Sequence, residues 1–523
     1  MRRLRPLHLA WLCIFLACVG FVLAGSALIS YNGVEEDEAL VAAPIFSQVP
    51  PLYRIRIFHQ TIPLMLMDYV GAFKSWLYWP IFHVFAPSPA SLRFPVLIIG
   101  TIGIALFAFL VERVTGVCGA VAGALLLASD PIYLLTTEFD WGPVAIQHLM
   151  LIGACLFLFE FTRRGSWTML AAGFFTLGLG VWDKAIFSWL IGGLVVASLI
   201  AFPKETIRRL TKRNIAIALA SFLLGALPLL IFNIRSDWRT FRGGASFSAE
   251  RLNTKIAVLQ SSLNGSGLFG FMVNGREQVQ TVNEPETRLE RASTRLADLA
   301  GEPRSSFQLP ALGIALVGGL LLSRSRGPTL FALAFMATAW TVMAFTKNAG
   351  GSVHHVVLLW PFPQFVVAIV LAEIARRWNR IGVAVFAVAA ASLCITNLLV
   401  INQYLAQLDR YGPAITWSDA IYPLSNSLRN EPGDIFVVDW DIFGPLVLLN
   451  QGRLKLHTTL ELGEAAISRA IFITHSPDLQ FFPKANQQRE SVAASRGYRK
   501  ELLRLIADSR GRPVFQVYQF VRQ

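Results

Sequence analysis

The sequence YNGVEEDEAL (residues 31–40) follows directly after the first long apolar run of the chain. A carboxylate close to a bilayer costs free energy unless it faces water or a partner. The stretch therefore marks a water-facing mouth at the end of a membrane-spanning helix, and we expect the rest of the chain to be arranged around that mouth. Its four consecutive carboxylates are Glu35, Glu36, Asp37 and Glu38.

The composition is typical of a polytopic membrane protein. The chain has 523 residues, of which 54% are hydrophobic, and its mean hydropathy is +0.52. Long apolar runs at such an average indicate membrane-spanning helices. The net charge of +13 comes largely from short basic clusters between those runs, which indicates membrane topology and argues against nucleic-acid binding. The five cysteines lie inside apolar runs without metal-ligand spacing, so we expect neither a disulfide framework nor a zinc site.

We predict about eleven membrane-spanning helices, because the chain contains that many apolar runs close to the roughly 20 residues that a spanning helix needs. The first run follows three arginines and so resembles a secretory signal peptide, but its length suits an uncleaved spanning helix better. The predicted spans lie near residues 9–29, 93–112, 117–135, 143–162, 167–182, 185–203, 214–233, 309–323, 328–346, 354–374 and 381–401.

The loops between these runs alternate in charge. The N-terminus is basic, and basic clusters follow every second run, for example at Arg163 and Arg164 and at 204–213. By the positive-inside rule, these loops and the N-terminus are cytoplasmic, whereas the acidic stretch and the C-terminal region are extracytoplasmic. The pattern predicts a multi-pass protein of the cell inner (plasma) membrane.

Two regions follow from this topology. Residues 1–401 are predicted to form an all-α membrane domain, with a first outer loop at 30–92 and a long outer loop at 234–308. The first outer loop ends in an apolar, aromatic segment that is too polar to span, which favours a helix lying at the membrane interface. Its aromatic residues at headgroup level would be Trp76, Tyr78 and Trp79.

The second region, residues 402–523, loses the apolar periodicity of the spans. Strand-like runs such as DIFVVDW (434–440) and AIFITHS (470–476) alternate with helical stretches, among them a helix expected at about 487–509. This alternation favours a small extracytoplasmic α/β domain.

Several polar side chains on the outer side could carry chemistry. Asp37 and Glu38 are candidates for a general base, since a positioned carboxylate can accept a proton from an attacking hydroxyl. The alternative is an interfacial acidic cluster that orients the loop or caps a helix. Glu138 and Asp140 lie in the next outer loop, where either carboxylate could bind a substrate, or Asp140 could only cap a turn.

Cationic groups that suit a phosphate lie in two further outer loops. Lys184 follows Asp183 at a tight turn, where it could bind phosphate or could pair with its neighbour. His354 and His355 lie at the outer end of a span, and either could donate a hydrogen bond to phosphate or be a satisfied interfacial histidine. A divalent cation could bind at Asp37, Glu138 and Asp140.

Four stretches together resemble the GT-C superfamily of integral-membrane glycosyltransferases, in particular its bacterial members similar to protein O-mannosyltransferases and to the aminoarabinose transferase of lipid A. The resemblance extends from about residue 10 to 400 and is absent from the C-terminal region. The stretches are EDEAL (36–40), FAPSPASLRFPVLIIGTIGIALFAFLVER (85–113), ASDPIYLLTTEFDWGP (128–143) and DKAIF (183–187).

The resemblance implies a role for each candidate residue. Asp37 and Glu38 stand where the family has its catalytic carboxylate, and Glu138 or Asp140 stands where it has a second acidic residue. The resemblance places Lys184, His354 and His355 in regions that surround the donor phosphate. It implies transfer of a sugar from a polyprenyl- or dolichyl-phosphate donor to an extracytoplasmic lipid, glycan or protein, with inversion at the sugar.

Two other classes of function remain open. A transporter or flippase for lipid-linked sugars would favour ionisable residues at mid-bilayer in broken or repeated helices. A non-catalytic membrane scaffold presenting the C-terminal domain would need no cluster of outer carboxylates. Because the carboxylates gather at one surface, the enzyme hypothesis predicts that Asp37, Lys184, His354 and either Glu138 or Asp140 converge on one outward cavity.

Overall fold

A computed structural model describes residues 4–41, 43–46, 51–244, 246–279, 281–458 and 469–523. Most of them lie in α-helices, which we number α1 to α23. The helices are α1 Leu4–Leu28, α2 Glu36–Ala39, α3 Phe73–Val84, α4 Pro89–Thr115, α5 Val117–Ala128, α6 Pro131–Glu138, α7 Val144–Arg164, α8 Trp167–Asp183, α9 Phe187–Ala201, α10 Pro203–Arg209, α11 Lys212–Gly225, α12 Leu227–Arg235, α13 Arg239–Gly244, α14 Leu252–Leu263, α15 Arg288–Leu299, α16 Gln308–Leu321, α17 Arg326–Ala344, α18 Val353–Val356, α19 Phe362–Arg377, α20 Asn379–Tyr411, α21 Ile421–Leu428, α22 Phe443–Leu449 and α23 Pro483–Ser495.

The membrane-spanning character of the chain is confirmed, but the exact number of spans is not. Within the described ranges, six helical segments are long and apolar enough to cross a bilayer, and three bent helix pairs raise the number to nine. Two further predicted spans correspond to the shorter helices α8 and α16. The six are His8–Leu28, Pro89–Thr115, Val144–Arg164, Arg326–Ala344, Val353–Arg377 and Asn379–Tyr411.

Local sequence sets the boundaries of the helices that lead to the acidic mouth. Helix α4 begins after Ser88, whose hydroxyl accepts a hydrogen bond from the backbone N–H of Ser91, and Pro89 supplies the fixed φ that suits a first helical turn. Helices α5 and α6 form a pair bent by 59°. At the bend, the Asp130 carboxylate caps the backbone N–H of Tyr133 at 2.8 Å, so one apolar run becomes two helices.

The first outer loop contains a hairpin that the sequence analysis does not predict. Strands β1 (Tyr53–Ile57) and β2 (Gln60–Met65) pair antiparallel, and α3 follows them. A helix is therefore present where the interfacial helix is expected, with Trp76 and Trp79 partly exposed, and its position at the membrane interface stays a prediction. The placement of Tyr78 at headgroup level is wrong, because its ring is fully buried and its hydroxyl donates to the Leu92 carbonyl.

The C-terminal region contains a five-stranded mixed sheet with strand order β4-β3-β5-β7-β6. Strand β3 pairs in parallel with β4 and β5, and β7 pairs antiparallel with β5 and β6. This arrangement confirms the predicted α/β character, whereas the domain boundary at residue 402 stays a prediction. The strands are β3 Asp434–Val437, β4 Lys455–His457, β5 Ile471–His475, β6 Tyr498–Ala507 and β7 Pro513–Arg522.

The helix expected at 487–509 is only partly correct. Helix α23 ends at Ser495, and the segment that follows it is the ten-residue strand β6. Lys, Glu and Leu in this segment favour a helix locally. The long antiparallel pairing with β7 overrides that preference, since tertiary context routinely outweighs intrinsic propensity.

Candidate active site

A small pocket lies at the mouth that the acidic stretch marks. Its volume is about 40 Å³, which is room for water but not for a sugar ring. Four polar side chains from separate parts of the chain line it: Asp37 from α2, Lys74 from α3, Lys184 from the turn after α8, and His354 from α18. The fold thus brings Asp37, Lys184 and His354 together and adds Lys74, whereas neither Glu138 nor Asp140, of which the enzyme hypothesis expects one, lines the pocket.

Asp37 is held in a short, capped helix. Its backbone N–H donates to the Glu35 carboxylate at 2.7 Å, which fixes the first turn of α2. Burial raises the pKa of Asp37, while the positive charges of Lys184 and Lys74 and a hydrogen bond from Trp141 act against that rise. A carboxylate whose proton affinity is raised within reach of cations is suited to accept a proton.

Lys184 is fixed by backbone pairing with the first outer loop. The backbone of Lys184 forms an antiparallel bridge with Val70, and the neighbouring Ala185 N–H donates to the Tyr69 carbonyl at 2.8 Å. Burial lowers the pKa of Lys184, and Asp37 is the first of the carboxylates that counteract the shift. A Cβ atom at Gly142 would lie 2.8 Å from the lysine Nζ, and the φ of +75° at Gly142 also favours glycine.

Lys74 was not singled out as a functional residue by the sequence analysis. It interrupts an apolar, aromatic segment, which is the one sequence signal that could have indicated a role. Its ammonium group forms a buried ion pair with Asp140, and the Asp140 carboxylate also accepts a hydrogen bond from the Ala145 N–H at 3.0 Å. Asp140 therefore reaches the pocket through Lys74 rather than lining it.

The two histidines lie in different surroundings. His354 lines the pocket and packs against the Trp141 ring, with 4.2 Å between the ring centroids. His355 contacts His354 but packs edge-on against Trp189 and is not among the residues that line the pocket. Adjacent residues of a short helix point in different directions, which explains why only one of the pair reaches the pocket.

Glu38 and Glu138 lie apart from the pocket, beside Arg93 of α4. The Arg93 guanidinium binds Glu38 through two hydrogen bonds of 2.9 Å and also donates to the carbonyls of Ile29, Asn32 and Gly33. Glu38 and Arg93 are almost completely buried. Glu138 is also fully buried and lies in the electrostatic field of both groups. In this arrangement Glu38 anchors the acidic stretch to α4.

Glu36 joins the acidic stretch to the C-terminal sheet region. Its carboxylate accepts a hydrogen bond from the Gly444 N–H at 2.9 Å, and its own N–H donates to the Asp441 carboxylate at 2.8 Å. A Cβ atom at Gly444 would lie 2.6 Å from a Glu36 carboxylate oxygen, so a larger residue there would force the Glu36 side chain to shift. We call these reciprocal contacts of Glu36 with Asp441 and Gly444 the α2–α22 clasp. Burial raises the pKa of Glu36 from its usual 4.5 to about 7.

The possible cation site at Asp37, Glu138 and Asp140 does not appear as a cluster. In the part of the chain that the structure describes, no three His, Cys, Asp or Glu side chains are grouped closely enough to hold a metal ion. Asp37 lines the pocket, Asp140 pairs with Lys74, and Glu138 lies near Arg93.

The fold and the site together define a class of protein: a helical membrane protein in which a carboxylate and two lysines line one small pocket. Comparison with known proteins shows which membrane proteins share this fold. The family described as dolichyl-phosphate-mannose-protein mannosyltransferase matches residues 71–232, which include Lys74, Glu138, Asp140 and Lys184. No curated protein matches the chain at the sequence level.

Solved structures share the fold at low sequence identity. ArnT from Cupriavidus metallidurans bound to undecaprenyl phosphate superposes with a TM-score of 0.59 and 14% identity, over 97% of each chain. The arabinofuranosyltransferase AftD from Mycobacteria gives 0.50 and 14%, over 97% of this chain and 39% of its own. The Archaeoglobus fulgidus oligosaccharyltransferase in complex with Zn and sulfate gives 0.51 and 12%, over 83% of this chain and 61% of its own.

These findings confirm the resemblance that the sequence indicates. The chain has the fold of the GT-C superfamily of integral-membrane glycosyltransferases, and it is a multi-pass membrane protein.

Proposed function

We propose that this protein transfers a sugar, a hexose or a pentose, from a polyprenyl-phosphate donor to an extracytoplasmic lipid, glycan or protein acceptor. The observation that carries the proposal is the pocket in which Asp37, Lys74, Lys184 and His354 meet. The partial match to the dolichyl-phosphate-mannose-protein mannosyltransferase family, and the undecaprenyl phosphate bound to ArnT, support a lipid-linked donor.

Asp37 is the proposed general base. The acceptor hydroxyl must lose its proton as it attacks the sugar, whereas the departing lipid phosphate is already a good leaving group. Raised proton affinity at Asp37 suits this step, since an efficient base has a pKa near the working pH. Glu38 is a less suitable base, because both of its carboxylate oxygens are bound by Arg93.

The leaving phosphate would be stabilised by cations. Lys74 and Lys184 present two ammonium groups to the pocket beside the base, and His354 adds a further polar ring. Charge-assisted hydrogen bonds to phosphate oxygens stabilise negative charge that develops as the sugar departs. Asp140 would hold Lys74 in place, while His355 and Glu138 would support the pocket from outside it.

The pocket must widen before it accepts a sugar, because about 40 Å³ holds only water. Its outer wall includes Val41, Met67 and Tyr69 of the first outer loop, so movement of this loop would open it. We place the site on the outer face of the inner membrane, with a cytoplasmic N-terminus, since the basic loops lie on the opposite side of the spans.

The test compares Asp37→Asn with a matched change in the same loop. Asp68→Asn is the control, because Asp68 pairs with Arg239 and does not line the pocket. Lipids and glycans of cells that contain or lack the chain are first compared by mass spectrometry, which identifies the product. Purified variants are then assayed for formation of that product.

Loss of a general base should lower the rate by about 10²–10⁴-fold in Asp37→Asn, while Asp68→Asn keeps wild-type activity. Full activity in Asp37→Asn would remove the proposed base. If cells that lack the chain kept every glycan unchanged but accumulated a lipid-linked sugar on one leaflet, a flippase would replace the transferase.

A further inference from the structure

A second groove lies away from the proposed active site. It is bounded by strand β1 and the end of helix α12, and its volume is about 560 Å³. It shares no residue with the pocket that contains Asp37. The residues that line it are Tyr53, Arg54, Ile55, Arg56, Ile231, Ile234 and Arg235.

The charge of this groove is uniformly positive. Arg54, Arg56 and Arg235 line it, and no acidic residue does. Across the ranges that the structure describes, none of these three side chains makes an ion pair or a side-chain hydrogen bond. Two arginines that follow in the sequence do form ion pairs: Arg239 pairs with Asp68, and Arg242 pairs with Asp237. The groove therefore concentrates three guanidinium groups without local compensation.

Arg54 and Arg56 are two residues apart on one strand, so their side chains leave the same face of β1 about 7 Å apart at the backbone. Guanidinium groups bind phosphate oxygens through parallel hydrogen bonds, and arginine is preferred where planar recognition of phosphate matters. Arg235, at the end of α12, adds a third guanidinium group from a separate element of the groove. The arrangement suits a single phosphate ester approached from two sides.

The surroundings of the groove are apolar and open. Ile234 is 70% exposed, and Phe58, at the turn between β1 and β2, is 92% exposed. Large apolar side chains exposed beside a charged groove are typical of an interaction site. Helices α11 and α12 form a bent pair that is long and apolar enough to cross a bilayer, and the groove lies at the end of that pair, where a span would meet the membrane interface. Apolar side chains there would contact lipid acyl chains while the arginines face headgroups.

We propose that the groove of Arg54, Arg56 and Arg235 binds the phosphate headgroup of an anionic membrane lipid. The acyl chains of that lipid lie against Ile231, Ile234 and the apolar hairpin turn. Bound lipid ties the β1–β2 hairpin to α12. Lipid binding at this groove does not depend on sugar transfer, so this proposal can be tested separately from the proposed function.

The experiment uses the full purified chain in a neutral detergent, titrated with phosphatidylglycerol or with phosphatidylcholine, and native mass spectrometry counts the lipids bound. The test variant is Arg54→Gln/Arg56→Gln/Arg235→Gln. The control removes three exposed arginines of the C-terminal sheet region and so changes the net charge equally: Arg429→Gln/Arg453→Gln/Arg499→Gln.

Wild type and the control should bind one phosphatidylglycerol more tightly than phosphatidylcholine, and the test variant should bind it at least roughly tenfold more weakly. Equal binding of phosphatidylglycerol by the test variant and the control overturns the proposal. Competition with millimolar inorganic phosphate shows whether the groove binds a lipid headgroup or free phosphate. Complete displacement of the lipid would show that the groove takes free phosphate instead, which also overturns it.

Discussion

Replacement of Glu38 by glutamine should lower the free energy of unfolding but should not remove a group that reacts with the substrate. The change leaves the buried Arg93 guanidinium without its counter-charge, although its hydrogen bonds to the carbonyls of Ile29, Asn32 and Gly33 survive. Breaking one side of a buried ion pair typically costs about 3–5 kcal/mol. Because the temperature shift per kcal/mol falls with chain length, the expected fall in Tm is roughly 3–10 °C.

The double variant Glu38→Leu/Arg93→Met supplies the matched control. Replacement of a buried pair by apolar side chains of similar volume is often neutral, so this variant should recover much of the lost Tm. Thermal unfolding in detergent, followed by intrinsic tryptophan fluorescence, measures all three proteins. Product formation per folded molecule should fall far less in Glu38→Gln than in Asp37→Asn.

The reverse outcome would refute this reasoning. If Glu38→Gln kept its Tm but formed no product, Glu38 would be a reacting carboxylate and its contact with Arg93 would be secondary. If the double variant unfolded as early as the single one, the loss of the three carbonyl hydrogen bonds of Arg93 would cost as much free energy as removal of the unpaired charge regains.

Three more predictions concern the groups around Asp37. Lys184→Gln should lower kcat/KM for the lipid-phosphate donor by about tenfold or more, since a charge-assisted hydrogen bond is lost; an unchanged kcat/KM in steady-state assays would exclude contact with phosphate. Asp441→Ala should remove the acceptor of the Glu36 N–H, weaken the α2–α22 clasp and speed amide hydrogen exchange at residues 35–40, with the exchange of β7 as the internal control. Because burial raises the pKa of Glu36 to about 7, folding stability should fall as the pH rises from about 4.5 to 7. Denaturant unfolding should show a flatter pH profile in Glu36→Gln, and identical profiles would contradict the shift.

The sequence by itself determined the class of fold. Apolar runs of about 20 residues predict helices whatever their tertiary partners are, because a helix satisfies its backbone hydrogen bonds within one segment inside a bilayer. All eleven predicted runs are helical, although broken helices such as α5 and α6 leave the number of spans between six and nine in the described ranges. The acidic stretch could also be located, since charge beside a bilayer requires water or a partner.

Only the tertiary structure decided what each carboxylate of that stretch does. Neighbouring residues of a helix point about 100° apart, so residues 36 to 38 must face different surroundings, and nothing in their order says which. Glu36 meets Gly444, 408 residues away, and Glu38 meets Arg93, 55 residues away. Asp37 is left facing the pocket. Long-range packing selects these partners, so the four similar side chains have four roles: Asp37 is the candidate base, Glu36 forms the clasp, Glu35 caps α2 and Glu38 anchors the stretch to α4.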